Sequence, residues 1–207
     1  LAYESWVLHA LIWLPLLGMV HVLWAAEDRA KELALGWSLV VFVLSVGLWW
    51  AYDPDLGGGY QLSSSLPWIE AWGVNYALGL DGISLFMVML STFTTPLAIL
   101  GSFNYIKKRQ KPFYALMLLL EVGVVGVFTA VDLFLFYVFF ELTLVPMYFI
   151  IGIWGGERRV YAAIKFFLYT AIGSLLMLVG ILYMYARGKA LLGVASFAFV
   201  DLLQIPL

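Results

Sequence analysis

Besides two histidines near the ends of the first run, three charged side chains lie inside long apolar runs of this chain: Glu121, Glu141 and Lys165. Glu141 has the strongest chemical setting, in the stretch DLFLFYVFFELTLVPMYFIIGIW from Asp132 to Trp154. As a helix that stretch crosses a hydrocarbon core of about 30 Å. Glu141 then lies roughly 3 Å from the midplane at about 1.5 Å rise per residue. An acid at that depth costs on the order of 2.5–3.5 kcal/mol on insertion scales, so its default reading is functional. Pro146 has no N–H for the carbonyl of Leu142, which frees a polar oxygen one residue from the acid. Such a carbonyl must find a partner in protein or water. A carboxyl held between desolvation and a nearby cation is pulled both ways and can load and unload a proton near neutral pH. These residue types support proton handling. The plainer alternative is a protonated acid that hydrogen-bonds a neighbouring helix for packing.

The runs on either side of residue 131 are joined so tightly that they must be antiparallel neighbours. Glu121 and Glu141 are each ten positions from 131, so they sit near one depth on adjacent helices. Facing each other, they would titrate as a coupled pair; facing apart, Glu121 would serve another neighbour. Sequence leaves both arrangements open. Lys165 lies five residues inside the following span, either as a snorkelling anchor or as a cytoplasmic-side proton donor or acceptor. Tyr169, Thr170, Gly173 and Ser174 follow it and suit either close helix approach or a water path. Asp132 reads as a helix N-cap, and Pro96 as a kink. His9 and His21 fall about 120° apart around one helix, so a haem or metal held by this chain alone is not expected. With no cysteine, the chain has no disulfide and no thiolate for an iron–sulfur cluster.

The elements that position these groups follow from composition. The chain has 207 residues, 64% of them hydrophobic and 12% charged, with a mean hydropathy of +0.99. Those values exclude an ordinary soluble domain and predict an all-α membrane protein, a polytopic bundle of about six transmembrane helices. A net charge of −2 with no basic amphipathic tract argues against nucleic acid as a partner. The spans are expected near 6–24, 33–52, 80–103, 113–130, 132–154 and 160–186. Asp81 or Ser84 is expected to cap the third. A polar loop over 53–75 separates two N-terminal helices (1–77) from the remainder (78–207), and the tail from 190 to 207 reads as a loop or interfacial piece. The chain opens at Leu1 without a methionine, shows no cleavable signal peptide and reads as a fragment cut at both ends. Basic loops at Arg29/Lys31, Lys107–Lys111 and Arg158/Arg159 alternate with links free of Lys and Arg, which puts the N-terminus outside. Only Arg187 and Lys189 oppose that orientation.

The run VFFELTLVPMYFIIGIWGG, followed by RRVYAAIKFFLYTAIGSLLMLVGI, closely resembles the ND4/NuoM-type antiporter-like membrane subunit of respiratory complex I. LGLDGISL and VGVFTAVDLFLFY carry the same likeness, which covers residues 78–186. The resemblance implies a subunit of a proton-translocating NADH:quinone oxidoreductase in which Glu141 matches the fifth-span glutamate. That glutamate pairs with a lysine on a seventh span, before which this chain stops. It further implies no cofactor in this chain, with flavin and iron–sulfur clusters in other subunits. The implied partners are the other membrane-arm subunits, protons, internal water and the lipid bilayer, and the implied location is the cell inner membrane. Glu121 is not a position that the resemblance carries over. A subunit of an Mrp-type Na⁺/H⁺ antiporter is the alternative, and a purely structural membrane spacer is a third reading. ELTLVPMYF is closer to the complex I subunits than to the Mrp ones.

Overall fold

A chain in hydrocarbon must satisfy its own backbone polar groups, and each apolar run does so as a helix. The computed structural model describes residues 3–193 and 195–205. Its helices are α1 (Val7–Trp24), α2 (Ala30–Val46) continued by the short α3 (Leu48–Ala51), α4 (Gly82–Ser102), α5 (Gln110–Thr129), α6 (Leu133–Trp154), α7 (Arg159–Leu192) and the short α8 (Phe199–Leu202). Six helical spans are long and apolar enough to cross a membrane. At the centre stands α5, packed against α1, α2, α4 and α6. Of its most apolar window 56% is buried, against 11% for α7, which leans mainly on α6 and leaves its other faces open.

Two glycines let α5 and α6 meet closely. A Cβ at Gly123 would lie 2.7 Å from Cγ2 of Thr143, and one at Gly126 would enter the ring of Phe139. Small residues at such a seam allow two backbones to approach. Across the other side of the bundle, Ser45 Oγ and Thr92 Oγ1 share a buried 2.6 Å hydrogen bond between α2 and α4.

The expected polar loop is an antiparallel hairpin, β1 (Gln61–Ile69) and β2 (Val74–Leu80), with Ser65 opposite Ala77 and Pro67 opposite Asn75. The reason is β2 itself: its sequence VNYALGL is apolar enough to bury Val74, Ala77, Leu78 and Leu80 beneath the bundle's end. A short apolar run of this kind cannot be told from the start of a helix by periodicity. The helix begins later, where Asp81 Oδ1 accepts from the N–H of Ile83 (3.1 Å) and Ser84 (2.7 Å). Ser84 Oγ in turn accepts from Asp81 N–H at 2.9 Å, so the two residues form one capping box. Since β2 runs across 77–78 and α1 packs on α5, the division at residue 77 marks no break in packing.

The link between α5 and α6 joins this sheet. Val131 N–H donates to Ala77 O (3.0 Å), and its carbonyl accepts from Phe199 N–H (3.0 Å). The tail is thereby tied back: α7 continues six residues past its expected end, and bridges pair Leu78 with Ala130 and Asp132 with Ala198. Residues 194, 206 and 207, which the tail expectation also covered, lie outside the described residues.

Candidate functional site

The azimuth of Glu141 follows from its neighbours on α6. Phe139 and Thr143 face α5 against Gly126 and Gly123. Glu141 is two residues from each, about 200° around the helix, and so points to the opposite side. That side meets α7. The rings of Tyr148 and Phe167 contact edge-on at 5.5 Å, and Gly152 lies against Ala163. Tyr148 and Gly152 follow Glu141 by seven and eleven residues, on the same stripe. The answering stripe on α7 repeats through Ala163, Phe167, Thr170, Ser174, Met177 and Ile181, of which Ala163, Ser174 and Ile181 are buried. Carried along the antiparallel pair, this register sets Glu141 level with Ser174.

One turn before the acid, Tyr137 places its hydroxyl beside both Glu141 and Ser174. Oε1 of Glu141 is buried without a hydrogen-bond partner among the described residues. Pro146, also buried, leaves the carbonyl of Leu142 without its helical donor. The site thus holds an acid, two hydroxyl side chains and a freed carbonyl at the depth where water is scarce. Such a set can hold a proton and pass it through hydroxyls or water. Sequence reasoning named Ser174 only within a patch and missed Tyr137, although its i−4 spacing from Glu141 was a readable signal.

Glu121 is elsewhere. Gly123 and Gly126 mark the α6-facing side of α5, and Glu121, two residues before Gly123, lies on the other side. The alternative left open by depth is thereby decided geometrically: the two carboxyls point away from each other. Lys165 is not brought to Glu141 either. It is exposed, two residues off the α6-facing stripe, with Nζ 5.7 Å from the ring centroid of Tyr161 on its own helix.

The remaining candidates have local partners. His9 shares a 3.0 Å hydrogen bond with Ser64 Oγ and stacks on Tyr76 at 5.6 Å, while His21 Nδ1 accepts from Trp37 Nε1 at 3.2 Å. Among the described residues, no group of three or more His, Cys, Asp or Glu is placed to hold a metal ion. Asp132 caps α6 and also accepts from Asn75 N–H of β2 at 2.9 Å. Burial pushes its carboxyl above the usual value, against the pull of its three backbone donors.

Comparison with known proteins places this geometry. Residues 10–126 match the family described as NADH-ubiquinone oxidoreductase chain 4, amino terminus. Residues 130–202 match the transmembrane family of NADH:quinone oxidoreductase and the Mrp antiporter. The likeness therefore reaches far N-terminal of residue 78, where the motif resemblance begins. NADH-quinone oxidoreductase subunit M of Rhodobacter capsulatus is 48% identical over 161 residues, which cover 78% of this chain and 31% of that protein. Respiratory complex I from Thermus thermophilus with bound NADH contains a chain matching with TM-score 0.79 and 30% identity, over 97% of this chain and 39% of its own length. The Mrp complex from Dietzia sp. matches with TM-score 0.76 over 97% of this chain and 21% of that one, but at 19% identity, which shows the fold alone. The chain spans about a third of the length of the relatives it matches. It is a multi-pass membrane protein, and it belongs to the NADH-ubiquinone oxidoreductase chain 4 family.

Proposed function

We propose that the complete protein is a membrane-arm subunit of a proton-pumping NADH:quinone oxidoreductase, and that Glu141 is the group in this chain through which protons pass. The observation that carries this reading is the partnerless buried oxygen of Glu141, set at the α6–α7 seam beside the hydroxyls of Tyr137 and Ser174. A mid-membrane acid costs free energy, and leaving one of its two oxygens buried without a partner adds to that cost, so packing alone does not explain it. The base that exchanges protons with it is a lysine on a seventh span, as the motif resemblance implies. The open faces of α7 suit the helices that would follow, and Lys165 on that surface serves as a relay toward them.

NADH oxidation, quinone reduction, flavin and iron–sulfur clusters belong to other subunits in this reading, and this chain carries no redox chemistry. Its partners are those membrane-arm subunits, protons, internal water and the bilayer. Arg29, Lys31, Lys107, Lys108, Lys111, Arg158 and Arg159 fall at the end of the bundle opposite the hairpin. The positive-inside rule then puts that end in the cytoplasm of the inner membrane and the N-terminus outside. An Mrp-type Na⁺/H⁺ antiporter subunit has fold-level support only.

The test is Glu141→Gln in the assembled complex. Glutamine keeps shape and some hydrogen bonding but cannot exchange a proton. Quinone turnover and proton uptake should fall together, while reduction of an artificial acceptor by the peripheral arm is spared. Normal pumping in a fully assembled Glu141→Gln complex would refute the assignment. Co-purification with antiporter subunits, in place of NADH-oxidising ones, would move the protein to the Mrp reading.

A further inference from the structure

α5 carries an acid that the Glu141 reading does not use. Glu121 is 2% exposed, and neither of its carboxyl oxygens has a hydrogen-bond partner among the described residues. It lines a groove of about 350 Å³ between α4 and α5, together with Ser91, Thr94, Thr95, Met117 and Val124. Among the described residues, no charged group on a helix packed against α5 compensates it. α4 contains no Asp, Glu, Lys, Arg or His along its whole length. Those of α1 and α2 lie near helix ends: His9, His21, Lys31 and Glu32. On α5 itself, Lys111 is ten residues away, about 15 Å along the axis, and the hydroxyl of Tyr114 accepts from Ser102 Oγ at 3.3 Å. On α6, Glu141 and Tyr137 face α7, as does Tyr148.

The polar groups of the groove share one property. Ser91 Oγ donates to Met87 O (2.7 Å), Thr94 Oγ1 to Leu90 O (2.5 Å) and Thr95 Oγ1 to Ser91 O (3.0 Å). Their hydrogens are spent on the helix, so their oxygens remain as acceptors only. Pro96 adds another acceptor by leaving the carbonyl of Thr92 without its helical donor. A set of acceptors does not stabilise a carboxylate, but it does receive the O–H of a neutral acid or of protonated water. We propose that Glu121 and the hydroxyls of α4 form a second proton-binding site, loaded through the α4–α5 groove and independent of Glu141. On release, the Glu121 O–H bond breaks and the proton passes to a water held by the Ser91 and Thr95 oxygens. The electron pair stays on the carboxylate, and the reverse step reloads it.

Infrared spectroscopy of the complete protein in its assembled complex, reconstituted in liposomes and moved from H₂O to D₂O, reads this directly. The protonated-carboxyl band that vanishes in Glu121→Gln should shift in D₂O. Its exchange should slow by roughly tenfold in Ser91→Ala/Thr95→Val, as expected for lost hydrogen-bond acceptors. The band assigned by Glu141→Gln should keep its rate in the same variant. Should Glu121→Gln fail to assemble, Glu121→Asp assigns the band by displacing it. A Glu121 band that never shifts in D₂O would mean a sealed packing acid and overturn the proposal. So would exchange that is slowed by Glu141→Gln and untouched by the groove variant. Competition by Na⁺ with that exchange would also overturn it, by making the groove a metal-ion site.

Discussion

Asp132 holds three backbone N–H groups at once, and two substitutions separate its tasks. Oδ1 accepts from Phe134 (2.9 Å) and Leu135 (3.1 Å) at the start of α6, and Oδ2 accepts from Asn75 (2.9 Å) in β2. Asp132→Ser keeps a capping oxygen but is too short for Asn75, whereas Asp132→Ala loses all three bonds. Losing the cap costs about 0.5–2 kcal/mol. Stranding the N–H of Asn75 beneath the hairpin costs about 1–3 kcal/mol. Both substitutions also remove a carboxyl that burial disfavours in its charged form, so global stability falls by less than these bonds suggest. Local opening is therefore the sharper readout. In hydrogen–deuterium exchange, the Asn75 amide should exchange roughly 5–150-fold faster in both variants, the equivalent of about 1–3 kcal/mol. The amides of Phe134 and Leu135 should accelerate only in Asp132→Ala. An unchanged Asn75 amide in Asp132→Ser would refute the tie between α6 and the hairpin.

Gly123→Ala should cost about 1–3 kcal/mol by overpacking the α5–α6 seam, and Thr143→Ser, which deletes the Cγ2 methyl that the new Cβ would strike, should recover most of it in a double-mutant cycle of thermal stability. Asp81 is held below its usual value of 3.8, chiefly by the Ser84 hydroxyl, so its contribution is complete above that pH and lost as pH falls through the lower folded value. Amide protection at Ile83 and Ser84 should show that acid step, and Asp81→Asn should abolish it. For orientation, a cysteine at Gly58 should react with an impermeant reagent from outside intact cells, and one at Lys107 only after permeabilisation; the reverse pattern would invert the topology.

What was legible in the sequence follows from which forces are local. The six helices could be read because hydrocarbon leaves a spanning chain few options, and hydropathy marks where it applies. The capping box at Asp81 and Ser84 and the cap at Asp132 are likewise local, made by residues within three positions of one another. The hairpin was missed because VNYALGL pairs with a stretch rich in serine, and neither strand alternates cleanly. The tail's pairing with Val131 was missed because it joins residues nearly seventy positions apart, which no local pattern encodes. Depth could be counted from the short link at residue 131, but azimuth could not, since counting fixes height and says nothing of rotation.

Rotation is what separates the two acids. Gly123 and Gly126 could have served as the missing marker, because two glycines three residues apart inside a span indicate where a neighbour comes closest. Once that face is fixed, Glu121 and Glu141 must diverge, each two residues from a contact residue of the same seam. The seam leaves no space for water where Gly123 meets Thr143 and Gly126 meets Phe139. Proton passage between two acids at one depth needs a hydrogen-bonded path, and an apolar contact of glycine with a methyl and a phenyl ring supplies none. Equal depth on adjacent helices therefore builds two separately addressed acids, one turned to α7 and one to α4.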